Sequence, residues 1–201
     1  MQIAIDASRA EDPSPTGVEV YSDRILDGLM KLAKFSKDCK VALYTSKPLR
    51  RFASSKQRVL SGQRLWTQWH FAQALRHDHP DVVFIPSHVL PFTTPHSLRA
   101  IVTIHDVCFK TIPRTYSLAQ RLYLDITTRF TVQRADKIIV PSQATAKDLE
   151  HFYACSRAKI KVIPHGFLPP AVHQLSEKRI RAILTSFGLR STTPYFFSVG
   201  R

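Results

Sequence analysis

The sequence predicts an α/β fold: a parallel sheet with helices on both faces. Three observations lead there. Apolar runs without polar alternation recur at Asp81–Pro86 (DVVFIP), Ala100–Ile104 (AIVTI) and Lys137–Val140 (KIIV), the pattern of strands buried on both sides. Segments with helical spacing separate these runs, and repeated strand–helix–strand order means a parallel sheet. Finally, 201 residues with 44% hydrophobic and 22% charged side chains have the balance of an ordinary folded protein. No apolar run reaches the roughly 18 residues of a spanning helix.

In chain order, Gln2–Asp6 reads as a first strand. Glu11-Asp-Pro-Ser-Pro-Thr-Gly17 is dense in turn formers and reads as a loop. Val18, Tyr21, Ile25, Leu29 and Leu32 then mark one face of an amphipathic helix. Lys40–Thr45 is the next strand, and a short one is expected near Val59-Leu60. Leu65–Leu75 reads as a helix, with Trp66 and Trp69, three apart, expected in the core. His77-Asp-His-Pro80 stops it, because proline disfavours helix in the residue before it. Leu118, Leu122, Ile126 and Phe130 predict a later helix, and Ala144–Tyr153 another, with Ser142 as its N-cap. Lys161–Ile163 is a weaker strand. Pro169-Pro170 breaks the pattern, Glu177–Phe187 is a last helix, and Tyr195–Arg201 opens an apolar strand. The expected organisation is therefore residues 1–175 as one domain, 176–193 as a connection with a helix, and 194–201 as the first strand of a further domain.

Lys plus Arg is 29 and Asp plus Glu is 15, a net charge of +14. The excess is uneven. Residues 1–38 carry five basic and seven acidic residues, whereas 39–77 carry eight basic residues and no acid, interleaved with Phe52, Trp66, Trp69 and Phe71. Such a segment suits an anionic membrane surface, nucleic acid, or simply a solvated face over an aromatic core. The three cysteines (Cys39, Cys108, Cys155) lie far apart with no CxxC pair, which excludes a zinc ribbon and fits a reducing compartment. Met1-Gln-Ile-Ala-Ile-Asp6 does not read as a secretory or transit segment. GxGxxG, GxxxxGK[ST] and GxSxG are all absent, so dinucleotide, P-loop and hydrolase-elbow chemistry have no motif here. His77 and His79 flank Asp78 without further ligands at suitable spacing, and no metal site is expected.

In an open parallel sheet, ligands bind beyond the carboxyl ends of the strands. The polar residues at those ends are Asp6, Thr16-Gly17 before the first helix, Ser87-His88, His105-Asp106, Ser142 and His165-Gly166. A helix N-terminus favours phosphate, and glycine lets a ligand approach the backbone. Each residue also has a structural reading: Gly17 as a helix start, His105 as a loop hydrogen-bonder, Asp106 as a turn or cap, Ser142 as a cap, Asp6 as an organiser of loops. His88 and His165 stand between rim contact and loop structure.

Taken together, Gly17-Val-Glu-Val-Tyr21, Leu65-Trp66, Pro86-Ser-His-Val-Leu-Pro91, Val102-Thr-Ile-His-Asp106, Ala135-Asp-Lys-Ile-Ile-Val-Pro-Ser142, Lys161-Val-Ile-Pro-His-Gly166 and Phe197-Ser-Val-Gly-Arg201 follow one another in a familiar order. The chain resembles the N-terminal domain of the retaining, GT-B-fold glycosyltransferases of family 4. The resemblance implies two Rossmann-like domains with the active site between them, the N-terminal one holding the acceptor and the C-terminal one a nucleotide-sugar. It implies hexosyl transfer from a UDP- or GDP-linked donor to a saccharide or lipid-linked acceptor, as in polysaccharide biosynthesis, with no separate cofactor. By the same resemblance, His105 contacts the transferred sugar, and Gly17 and Arg201 meet the donor phosphates. Thr16, His88, Asp106, Ser142 and His165 are the candidates for the cleft rim.

The pattern departs from the family in carrying Thr16 and a single Gly17 where two glycines are usual, and His165-Gly166 where Asn-Gly is usual. The C-terminal lobe, with the lysine and acidic motif of the donor site, is not in the sequence, so the chain is expected to be inactive without it. The expected location is cytoplasmic, peripheral at the inner face of a membrane through residues 47–76, with no specific nucleic acid. The alternative function is a basic Rossmann-like module that binds anionic membrane or nucleic acid without catalysis.

Overall fold

The computed structural model describes residues 1–33, 38–62, 65–166, 175–189, 194–196 and 198. Among these, seven strands form one sheet: β1 (Gln2–Asp6), β2 (Lys40–Thr45), β3 (Gln57–Val59), β4 (Val82–Ile85), β5 (Arg99–Thr103), β6 (Lys137–Val140) and β7 (Ile160–Val162). Their order is β3-β2-β1-β4-β5-β6-β7 and every pairing is parallel. This is the Rossmann-like α/β sheet that the apolar runs predict. The chain divides into two compact units, Met1–His165, which holds the whole sheet, and Gly166–Arg201. In the second unit, Glu177–Ser186 forms a helix. The expected strand over 194–201, Arg201 and Pro169-Pro170 fall wholly or largely outside the described residues.

Side-chain alternation splits the strands between two cores. Ala4, Tyr44, Val83, Ile85, Ala100, Val102, Ile138 and Val140 join one apolar cluster. Ile5, Leu43 and Phe84 join the other, with Ile3, Val41, Ile101 and Ile139 packed against it. Helix α1 (Gly17–Ala33) covers the second cluster through Leu26. Helices α2 (Ala72–Asp78), α4 (Leu118–Arg134) and α5 (Gln143–Tyr153) cover the first through Leu75, Val132 and Leu149. A short α3 (Cys108–Thr111) precedes α4. No helix among the described residues is long and apolar enough to cross a membrane.

Caps explain where the helices begin. Ser142 accepts a hydrogen bond from the Thr145 N–H at 3.1 Å, as expected for the N-cap of α5. Ser117 and Gln120 form a reciprocal capping box at the start of α4.

Three expectations change. The helix over Leu65–Leu75 begins instead as a π-helical stretch, Trp66–Phe71, that runs into α2. With i→i+5 bonding, residues five apart share a face. Trp66 and Phe71 accordingly stack at 5.1 Å and are both buried, while Trp69 is turned out and 64% exposed rather than in the core. On α1, Ile25 and Leu29 pack against the second core as expected, but the most buried residues, Glu19, Ser22 and Leu26, lie one position round, and Leu32 is exposed. On α4 the buried face is Thr127, Thr128, Thr131 and Val132, whereas Leu118, Leu122 and Ile126 point to solvent.

The basic segment 39–77 folds against the acids of the N-terminal region and of α2. Arg51 pairs with Asp23 at 2.7 Å and Arg58 with Asp78 at 3.0 Å. Glu11 accepts from the Arg50 and Arg51 backbone N–H groups, and its carbonyl accepts from Lys47 Nζ.

Urea titrations should separate cap from core. Ser142→Ala is expected to lower the unfolding free energy by about 1 kcal/mol. Ile138→Ala, at a fully buried position, is expected to lower it by roughly 2–5 kcal/mol. Equal losses would contradict the assigned roles.

Candidate active site

From β1 the chain winds outward through β2 to β3, then returns to β4 on the other side of β1. The loops leaving β1 and β4 therefore diverge, and a crevice opens beyond the carboxyl ends of the strands. Asp6 ends β1 and is buried. Its Oδ1 accepts from the Ser8 N–H at 2.9 Å, which shapes the first loop, and burial raises its carboxyl above the ordinary range.

That loop delivers Arg9 and Thr16 to Glu19 in the first turn of α1. Glu19 Oε1 accepts from Arg9 Nη1 at 2.9 Å, and Oε2 accepts from the Thr16 N–H at 3.0 Å and from the Thr16 hydroxyl. Burial pushes Glu19 up, but the Thr16 hydrogen bonds and the Arg9 charge outweigh it and hold the carboxyl below its ordinary value. The Thr16 carbonyl accepts the first helical bond, from the Val20 N–H. Thr16 is thus engaged in starting the helix. Gly17 is exposed, and a Cβ added to it would meet nothing within 4 Å.

One turn further, Tyr21 gathers the two histidines. Its ring lies 4.8 Å from His105, edge to face, and 4.8 Å from His165, while His105 and His165 are 5.4 Å apart. The Tyr21 hydroxyl is 3.3 Å from Thr103 Oγ1. His105 Nε2 lies 2.9 Å from the Pro86 carbonyl. A carbonyl only accepts, so this nitrogen carries the proton. Burial holds the imidazole below its ordinary 6.5, so at neutral pH the ring is uncharged and Nδ1 is an acceptor.

The remaining predicted residues take different places. Thr145 Oγ1 donates to the His105 carbonyl at 3.1 Å and sits 3.0 Å from Ser142 Oγ, so Ser142 supports His105 from behind while capping α5. Asp106 accepts from the Cys108 N–H at 2.9 Å and forms the turn into α3, the structural role expected for it. His88 donates its backbone N–H to the Thr103 carbonyl, has a left-handed φ of 62°, and its sequestered Nε2 has no hydrogen-bond partner among the described residues. Arg201 lies outside the described residues.

Beside this cluster, on the β1–β2 side, is a cleft of about 760 Å³. Ser8 and Arg9 after β1, Lys47 after β2, Trp66 and Gln68 from the π-helical stretch, and Tyr123 of α4 line it. The Arg9–Glu19 pair links it to the start of α1. Arg9, Glu19 and Tyr21 were not singled out as site residues in the sequence. Thr16-Gly-Val-Glu19 does carry a signal, since threonine followed three residues on by glutamate marks a helix start. Nothing local marks Arg9.

The family model for glycosyltransferase family 4 matches residues 15–167, from the loop before α1 to just past His165. The chain belongs to glycosyltransferase family 4. Among solved structures, a glycosyltransferase from Rickettsia africae ESF-5 superposes with a TM-score of 0.53 at 13% identity, over 96% of this chain and 51% of that one. An alpha-glucosyltransferase in complex with UDP-glucose and DNA containing an abasic site gives a TM-score of 0.39 at 19% identity, over 90% of this chain and 45% of that one. No curated protein matches in sequence. The chain thus spans about half the length of the glycosyltransferase structures it matches.

His88 gives the site a pH test. Burial pushes its imidazole down to about 4, from an ordinary 6.5. Between those values the unfolded chain binds the proton and the folded chain does not, so stability falls as pH drops, by at most roughly 3 kcal/mol. Asparagine tolerates a left-handed backbone. His88→Asn should therefore fold and flatten the stability profile between these pH values in denaturant titrations. An unchanged slope would show that His88 is not buried in neutral form.

Proposed function

We propose that the chain is the acceptor-side domain of a retaining glycosyltransferase. It would move a hexosyl group from a UDP- or GDP-sugar to a saccharide or lipid-linked acceptor. The observation that carries the reading is the convergence of α1 and the TIHD loop: Tyr21, four residues after Gly17, touches both His105 and His165. Family membership over residues 15–167 supports the same assignment.

In this reading the crevice holds the reacting groups. Bond breaking leaves negative charge on the departing diphosphate and positive character on the sugar ring. Fixed dipoles stabilise such charge without reorganising during the reaction. The start of α1 supplies unpaired N–H groups and the positive end of a helix dipole. At Gly17 no side chain stands between those groups and a phosphate. Neutral His105, with its Nε2–H donated to the Pro86 carbonyl, offers Nδ1 to a sugar hydroxyl. A cationic imidazole could not accept that bond, nor would it suit a site where the sugar becomes positive.

The adjacent cleft would seat the acceptor. Arg9, Lys47 and Gln68 offer it polar contacts, and Trp66 an apolar wall. A retaining transfer from the face of departure, with the leaving phosphate taking the acceptor's proton, needs no protein carboxylate as nucleophile. It differs in this from the paired carboxylates of glycoside hydrolases. A second lobe is required in this reading to hold the nucleotide, so the 201 residues alone should give no appreciable turnover.

The test supplies a donor-binding lobe, in cis or in trans, and measures transfer from UDP- and GDP-sugars. With that lobe present, His105→Ala should lower kcat roughly 100-fold with the fold intact by circular dichroism. Gly17→Val should cut activity through the donor KM with little loss of stability, since Gly17 is exposed and a Cβ there meets nothing within 4 Å. Full activity of both variants, or brisk transfer by the chain alone, would reject the assignment.

A further inference from the structure

We propose that the exposed face of α4, with the rim of the neighbouring cleft, docks on an anionic phospholipid bilayer. Leu118, Leu122 and Ile126 are 79%, 62% and 49% exposed. Spaced four apart, they form one stripe along the helix. Tyr123, half exposed, lines the same cleft as Leu65. This joins the stripe to Leu65, which is 72% exposed; Trp69, whose N–H donates to the Leu65 carbonyl, is 64% exposed. Phe92 completes the border: its N–H donates to Gln68 Oε1, and its ring lies 5.0 Å from Phe130 of α4.

The charge around this face has one sign. From 108 to 134 the sequence carries Lys110, Arg114, Arg121, Arg129 and Arg134 against the single acid Asp125. Asp125 is already held by Lys110 at 2.7 Å, by Arg129 at 3.9 Å and by the Tyr153 hydroxyl at 2.8 Å. Arg114 and Arg121 have no carboxylate within 4 Å among the described residues. Leucine and isoleucine in the middle, arginine at the flanks, and tyrosine and tryptophan at the margin match the depth profile of a bilayer interface. In the basic segment 47–76, by contrast, Arg51 and Arg58 pair with Asp23 and Asp78, and Lys47 Nζ is engaged by the Glu11 backbone carbonyl. Docking on α4 brings the mouth of the 760 Å³ cleft to headgroup level. That a lipid-linked acceptor enters there rests on the catalytic reading above, but binding to the bilayer does not.

Vesicle flotation of the 201-residue chain tests the surface without any donor. The vesicles are phosphatidylcholine alone or with about one third phosphatidylglycerol. The chain should bind only the anionic vesicles, and less as salt rises. Replacing Leu118, Leu122 and Ile126 together by serine should lower partitioning about tenfold or more, with an unchanged circular dichroism spectrum because all three are exposed. Arg114→Gln with Arg121→Gln should lower it severalfold. Arg50→Glu, in the other basic segment, should leave it within about twofold. Three results would overturn the proposal: triple-serine binding equal to wild type, loss with Arg50→Glu alone, or triple-serine loss of self-association in sedimentation velocity with vesicle binding intact. The last would assign the face to a second copy of the chain. Absent sugar transfer would leave all of these readouts untouched, so the two readings fail separately.

Discussion

The parallel pairing of β1 with both β2 and β4 governs the rest of the structure. A strand bonded on both edges must be left by connections that wind away in opposite directions, because right-handed crossovers leave no other route. The loops after β1 and β4 therefore separate, and a concave mouth forms where no backbone fills the gap. Asp6, Arg9, Thr16 and Gly17 stand on one lip of that mouth, and Ser87, His88 and the Pro86 carbonyl on the other. His105, one strand further out, spans back to Pro86 at 2.9 Å. A shift in the β1–β4 register by one residue would turn every alternating side chain over. It would exchange the two cores and dismantle the mouth together with them.

Within that frame, the histidine chemistry follows from hydrogen-bond direction and burial. Pro86 fixes which nitrogen of His105 is protonated, and Thr145 fixes the backbone that carries the ring. Tyr21 packs against the ring face or edge of both His105 and His165, so the orientation of α1 and of the last strand's exit are read out at one point. The Arg9–Glu19–Thr16 chain does the same for the start of α1. Its carboxylate is satisfied by three donors, which holds it ionised beneath a helix end that would otherwise lack an anchor. The positions of the candidate site residues are thus set by contacts among themselves as much as by the sheet.

Much of this was legible in the sequence where the signal was local. The apolar runs DVVFIP, AIVTI and KIIV gave β4, β5 and β6, because a strand buried on both faces must be apolar at every position. Ser142 and Asp106 were read correctly as capping and turn residues, since their bonds reach only two or three residues along the chain. The failures were tertiary. Trp69 was misplaced because a three-residue spacing was read with an α-helical period where the backbone is π-helical, and only the Trp66–Phe71 stack reveals this. Arg9 was missed because its partner, Glu19, is ten residues away. In the basic run 39–77, the acids that pair with Arg51 and Arg58 are Asp23 and Asp78, both outside the run, so the run alone does not show which of its cations are paired.

Helix α4 is the most instructive case, because its sequence pattern and its burial are opposed. Its four-residue apolar repeat predicts that Leu118, Leu122 and Ile126 face the sheet, yet threonines do. Two of the buried hydroxyls are satisfied: Thr127 donates to the Tyr123 carbonyl one turn back at 2.8 Å, and Thr131 accepts from the N–H of distant Leu90 at 3.2 Å. Thr128 Oγ1 has no partner among the described residues. Small, branched residues on the buried face take up less room against the core than leucine would. That accounts for the buried side of the helix but not for the other. Leucine and isoleucine in water add nothing to the stability of the unit and favour aggregation. The stability of this fold gives no reason for three of them in a row at helical spacing, beside arginines without acidic partners. In the docking proposal above, the reason lies in what meets that face, with the arginines selecting a negatively charged surface that has an apolar interior.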